Sequence, residues 1–70
     1  MTEILSPITG SVWKIIAQTG AQVNEGDTVV ILESMKMEIK VKAPHNGKVT
    51  EIKVKEGDSI LEDDIIAIIE

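Results

Sequence analysis

The chain has no cysteine, no phenylalanine and no tyrosine, and Trp13 is its one aromatic residue. Without thiols it can build neither a disulfide framework nor a zinc ribbon. Without large aromatics its core must be aliphatic. Val and Ile supply 19 of the 70 residues, and β-branched side chains suit pleated sheet better than helix. Basic residues are outnumbered, seven against twelve acidic ones, for a net charge of −5. That balance argues against nucleic acid, whose phosphates need a basic surface. No apolar run approaches about 20 residues, so no membrane span is expected. Met1-Thr2-Glu3-Ile4 lacks the basic start and apolar stretch of a signal peptide. There is no nucleophile–base pair, no phosphate-cradling Gly loop and no metal-ligand cluster, so neither a catalytic residue nor a metal site is expected. Seventy residues make room for one small domain over 1–70, expected to be cytoplasmic.

What the chain does have is an internal duplication. Shifted by 37 positions, residues 1–33 lie over residues 38–70 without a gap, matching Pro7 to Pro44, Gly10 to Gly47, Val12 to Val49 and Gly20 to Gly57. Nine of the 33 pairs are identical, where chance would give roughly two. Between the copies stand four residues, Ser34-Met35-Lys36-Met37. Two such copies predict a pseudo-twofold unit with the linker at one end and the chain termini at the other.

Turn signals cut each copy into four short strands. The pattern predicts strands over 2–6, 11–17, 22–23, 28–32, 38–42, 48–55, 59–61 and 65–69, and no helix, because no cap leads into helical periodicity. Asn46-Gly47 reads as a hairpin signal. Thr28 to Leu32 is apolar on both faces, as in a strand buried between two layers. Val12, Ile15 and Ala17, like Val49, Ile52 and Val54, are spaced by three and then two. That step breaks alternation and calls for a bulge or corner, suited to a strand crossing between sheets. The second copy has Glu62-Asp63-Asp64 where the first has Glu25-Gly26-Asp27, so one of its turns must do without Gly.

Lys36 falls in the joint between the copies, presented rather than packed. Met35 and Met37 are core fillers in most settings, but beside an accessible lysine they offer a soft apolar contact to an incoming enzyme. Glu33 and Glu38 fit either charge-based recognition or solvated strand ends. His45, in a turn, is read as structural or idle. The acidic set Glu62-Asp63-Asp64 is read as a solvated loop. Trp13 aligns with Thr50, so the symmetric core does not require it, and a partly exposed strand face is expected.

Glu33-Ser34-Met35-Lys36-Met37-Glu38, followed by Ala43-Pro44, Gly47 and Gly57-Asp58, resembles the biotinyl/lipoyl carrier domains, most closely the biotin carboxyl carrier type. The resemblance spans the whole chain. It implies an all-β fold, a flattened eight-stranded β barrel (a barrel-sandwich hybrid) with four strands from each half and an attachment hairpin at 34–37. It implies that Lys36 is the site of covalent biotin attachment, with Glu33, Ser34, Met35, Met37 and Glu38 read by a biotin protein ligase. The partners implied are that ligase, a biotin carboxylase and a carboxyltransferase, served by a carrier that itself catalyses nothing. Ser34 stands where many biotin carriers have Ala. No protruding thumb fits between Trp13 and Val29, and no Pro/Ala-rich leader is seen, so the expectation is a free-standing carrier. The same frame also fits a lipoyl carrier acted on by a lipoyl ligase, although lipoyl domains commonly have Asp before and Ala after the lysine. A carrier accepting both biotin and lipoate, and an unmodified barrel used as an adaptor, complete the alternatives.

Overall fold

The computed structural model describes residues 1–70. It contains eight strands and no helix: β1 (Thr2–Leu5), β2 (Gly10–Ile15), β3 (Gln22–Val23), β4 (Thr28–Ser34), β5 (Met37–Lys42), β6 (Gly47–Ile52), β7 (Ser59–Ile60) and β8 (Ile65–Ile69). They form two four-stranded antiparallel sheets, ordered β1-β8-β6-β3 and β5-β4-β2-β7. Exchanging the two sequence copies turns the first order into the second. Each sheet therefore draws two strands from each half, and neither half makes a sheet alone. The architecture is the expected flattened barrel-sandwich, with the two sheets remaining separate ladders.

The symmetry extends to single hydrogen bonds. Gly20 N–H donates to the Val49 carbonyl at 2.7 Å, and its counterpart Gly57 N–H donates to Val12 at 2.8 Å. Asn24 N–H is capped by the Asp27 carboxylate at 2.9 Å and Leu61 N–H by Asp64 at 2.8 Å. Asp64 of the acidic set is thus a turn-closing acceptor. The spacing of three then two resolves as a bulge in both copies. Trp13 is the extra residue where β2 pairs β4, and Thr50 where β6 pairs β8. The expected crossing between sheets does not occur, because each strand stays in one sheet and the bulge alone restores the inward phase.

The core consists of aliphatic residues between the sheets, with Val29, Val30, Leu32, Val49, Ile66, Ala67 and Ile69 fully buried. Adjacent burial at Val29 and Val30 does not come from a second covering layer. Val29 is the extra residue of another bulge, between Thr28 and Val30, while Ile31 on the outer face is only half-buried. Ile66 plays the same part in β8. Two expected strands are shorter than their apolar runs suggested. Both β2 and β6 end at the Ile that starts the turn toward the other sheet, and Ala17 and Val54 are buried beyond them.

The Asn46-Gly47 hairpin is absent. β5 and β6 lie in different sheets, and Gly47 opens β6. The glycine serves a close approach instead: a Cβ there would collide with the Glu70 carbonyl, as one at Gly10 would come within 2.5 Å of the Glu33 carbonyl oxygen.

Where copy two lacks its glycine, Asp63 adopts φ 72°, against 88° for its counterpart Gly26. A residue with a Cβ is strained there by about 1–2 kcal/mol. Asp63→Gly should therefore stabilise the fold by about 0.5–1 kcal/mol after the larger entropy of the unfolded glycine is counted. Chemical denaturation measures it directly, and a midpoint unchanged or lowered would show that the aspartate is at ease.

Candidate functional site

Of the seven links between successive strands, only β4 to β5 joins neighbours in one sheet; the other six cross between sheets. This single hairpin carries Lys36. The ladder runs Leu32 with Ile39, Glu33 with Glu38, and Ser34 with Met37, which leaves Met35 and Lys36 as a two-residue turn. The four-residue linker read from the repeat is thus half ladder and half tip. Both turn residues have left-handed backbone, φ 51° at Met35 and 66° at Lys36. That is the φ signature of a type I′ turn, whose twist matches the strands and which normally uses Asn-Gly. Here two residues with long side chains occupy it, at a cost on the order of 1 kcal/mol each. The ladder on both sides enforces the conformation.

The surroundings are open. Met35 is 92% exposed and Met37 60%, so neither methionine fills the core. Lys36 is exposed, and the single ion pair of the chain joins Lys53 to Glu51 at 2.7 Å. No carboxylate holds the Lys36 ammonium. Glu33 and Glu38 face each other directly across the ladder, both exposed. Like charges so placed repel, so strand stability gives no reason for the pair.

Of the other lysines, Lys14, Lys40, Lys42 and Lys48 lie on strands. Lys53 and Lys55, expected on β6, fall in the connection after it. None of them has the left-handed backbone of Lys36. The structure thus brings all six expected site residues, Glu33, Ser34, Met35, Lys36, Met37 and Glu38, onto one hairpin end.

It adds a seventh, Gly10, which the repeat matches to Gly47 but which stands outside the residues expected at the site. Gly10 lies beneath the hairpin, and a Cβ built on it would meet the Glu33 carbonyl oxygen and, at 3.2 Å, the Cβ of Ser34. A small residue at 34 over a glycine at 10 lets β2 close against the base of the tip. The repeat carried one signal, the recurrence of the glycine at 10 and 47, whereas their place at the first position of a strand is set by the structure.

Two residues read as peripheral are placed as such. His45 Nε2 lies 2.7 Å from Thr2 Oγ1 and its Nδ1 2.7 Å from the Asn46 carbonyl oxygen, which ties β1 to the turn before β6. Trp13 is 45% exposed on its bulge, with Lys14 Nζ 5.7 Å from the ring centroid.

The residues present fit a group joined through an amide. The one chemical requirement is an amine free of competing partners at an accessible position, and Lys36 meets it.

Comparison with known proteins points the same way. The chain is 46% identical over 59 residues to the biotin/lipoyl attachment protein of Bacillus subtilis, covering 84% of this chain and 81% of that protein. It is 42% identical over 57 residues to the biotin carboxyl carrier protein of acetyl-CoA carboxylase of Solanum lycopersicum, covering 81% of each. It also matches the pyruvate carboxylase of Aspergillus niger at 40% identity, but spans only 6% of that enzyme's length. Among solved structures, the urea carboxylase of Kluyveromyces lactis superposes over 99% of this chain with a TM-score of 0.94 and 40% identity, again over 6% of the larger protein. The family model described as "Biotin-requiring enzyme" matches residues 2–69, and the chain belongs to that family, among its biotinyl/lipoyl carrier domains.

Proposed function

We propose that residues 1–70 act as one biotin carrier domain, in which Lys36 is the attachment point and the tip turn Met35-Lys36 is what a biotin protein ligase admits. The observation that carries this reading is the unpaired Lys36 amine in a strained left-handed turn, at the only hairpin of the barrel. Backbone strain at an exposed tip, maintained by an otherwise regular ladder, is typical of a functional constraint.

The attachment chemistry balances as acyl transfer. The ligase joins the biotin carboxylate to ATP, giving biotinyl-adenylate and pyrophosphate. Lys36 Nζ loses a proton to the ligase and attacks the acyl carbon. The C–N amide bond forms, the C–O bond to the phosphate breaks, AMP leaves with the electron pair, and the nitrogen releases a second proton to become the amide N–H. When bound, biotin supplies a ureido nitrogen that accepts and releases a carboxyl group. The lysine stem then sets the reach of a tethered arm, whose benefit is effective concentration at two successive active sites. A biotin carboxylase and a carboxyltransferase are the enzymes it would visit, and the carrier itself performs no chemistry. Met35 and Met37 give the ligase an apolar flank on each side of the amine, and Glu33 with Glu38 gives it a paired negative mark.

A second reading is kept by the name of the Bacillus subtilis relative, a biotin/lipoyl attachment protein. Lys36 would then also accept lipoate from a lipoyl ligase. Met35→Asp with Met37→Ala recreates lipoyl-type flanks and should shift a competition between the two ligases at least tenfold toward lipoylation. An unchanged ratio would show that the backbone of the turn, not its flanks, decides.

The intact mass of the chain from its own host, followed by peptide mapping around Lys36, tests the proposal. A biotin increment on that peptide is the expected result. A lipoyl increment alone would replace the first reading with the second, and no increment with both ligases present would remove both.

A further inference from the structure

The two sheets are copies in backbone but not in surface. On the outer face of the sheet that carries the tip, Lys14, Ile31 and Lys40 form one row across β2, β4 and β5, with Lys42 two residues beyond Lys40. Trp13 and Lys14 together oppose Ile31 at the bulge. At the equivalent row of the other sheet stand Glu51, Ile68 and Glu3, with Leu5 in the place of Lys42 and Thr50 in the place of Trp13. One backbone thus carries Lys-Ile-Lys on one side and Glu-Ile-Glu on the other. The fold demands neither.

We infer that the lysine row, Lys14, Lys40 and Lys42 around Trp13 and Ile31, is the surface on which the enzyme that modifies Lys36 docks, and that this enzyme meets it with carboxylates around an apolar spot. The inference rests on Lys36 being the modified residue. Three observations carry it. The three lysines make no ion pair in a chain with twelve acidic residues, so their charges are free to meet an acidic partner. They lie on the same ribbon as the tip: Lys40 is four residues from Lys36, about 13 Å along an extended strand. A standard interface buries roughly 800 Å² on each partner, a footprint about 30 Å across, so an enzyme centred on the tip reaches Lys40. One displaced about 5 Å along the ribbon reaches Lys42 as well, which lies about 20 Å from Lys36. Finally, Trp13 is half-exposed, and Trp is among the residue types most enriched at the energetic centre of interfaces.

Between the row and the tip lie Glu33 and Glu38. The complementary surface is therefore basic nearest the lysine it modifies and acidic one row further out. This alternation fixes the orientation of docking, because a carrier turned end for end would set like charges against each other. A second copy of the chain, offering its own Glu3, Ile68 and Glu51, is the competing occupant. Two copies of net charge −5 repel, and such a head-to-tail contact leads to a ring or a filament rather than a simple twofold dimer.

The test uses the unmodified chain and the biotin protein ligase of the same host. Lys14→Glu with Lys40→Glu copies what the opposite sheet already carries, so the fold should be retained, as checked by a melting curve. Its kcat/KM for biotinylation should fall at least about tenfold at low ionic strength, with kcat nearly unchanged, and salt should erase the difference. Lys14→Gln with Lys40→Gln should fall in between. Trp13 gives a single indole N–H resonance, which should shift when ligase is added to the native chain and stay in place for the Glu variant. Equal kcat/KM values and an unmoved indole signal overturn the inference. Self-association of the native chain that the Glu variant abolishes also overturns it, by assigning the face to a second copy. A native chain that takes no biotin on Lys36 refutes the attachment proposal itself and is recognised before any variant is made.

Discussion

Lys36→Arg is expected to abolish biotin incorporation completely while leaving the thermal midpoint within about 3 °C of the native chain. The second half follows from exposure. The side chain touches no carboxylate, and substitutions at such surface positions usually change stability by less than about 0.5 kcal/mol. The first half follows from chemistry. Arginine keeps the charge and length, but its delocalised guanidinium stays protonated and does not form the amide. Six other lysines remain as competitors, so the experiment also asks whether turn geometry confines the reaction. Mass spectrometry after incubation with ligase, ATP and biotin reads the result. Label retained on the variant would move attachment to one of the other six lysines and leave the left-handed turn without its proposed purpose.

Gly10→Val and Gly47→Val should each destabilise the fold by about 3 kcal/mol, lowering the midpoint by roughly 15 °C. In both cases the added Cβ runs into a backbone carbonyl, Glu33 for Gly10 and Glu70 for Gly47, and backbone cannot swing aside as a side chain can. Neither glycine has positive φ, so the loss measures collision rather than torsional strain. Such a loss is a large share of the roughly 4–10 kcal/mol expected for a chain of this length. The repeat predicts similar losses, and a large difference in midpoint would argue against equivalence of the two halves. Modification should separate them. Gly10 supports Glu33 and Ser34 beside the tip, whereas Gly47 supports the opposite end. At equal folded fraction, Gly10→Val should be biotinylated several-fold more slowly and Gly47→Val at the native rate.

Most of the strand pattern was legible because turns and alternation leave local marks. All eight strands lie where the sequence places them, and Trp13 was readable as a surface residue because its partner in the repeat is Thr50. What escaped the sequence was set by contacts between distant segments. Asn46-Gly47 carries the composition of a hairpin, but the strands on either side of it belong to different sheets, and the glycine is needed for a carbonyl 23 residues away. The true hairpin turn is Met35-Lys36, which no turn preference would select, since its backbone is imposed by the ladder from Thr28 to Lys42. The pair of apolar residues at Val29-Val30 suggested burial on both sides, whereas a bulge brings both inward. The lysine of the candidate site was visible in the sequence, and the strain at its turn was not.

The interleaving of strands has a consequence for valency. A pair of separate 33-residue halves, meeting as equals, would build the same two sheets with identical open ends and no tip at either. The join at residues 34–37 breaks that equivalence once. One end gains a closed loop with an amine at its summit, while the other, where Thr2 pairs Ile69, holds two chain ends side by side. With Lys36 as the proposed attachment point, the barrel is a univalent reagent. An enzyme that engages it finds one handle and one direction of approach, although nearly every backbone feature around it occurs twice.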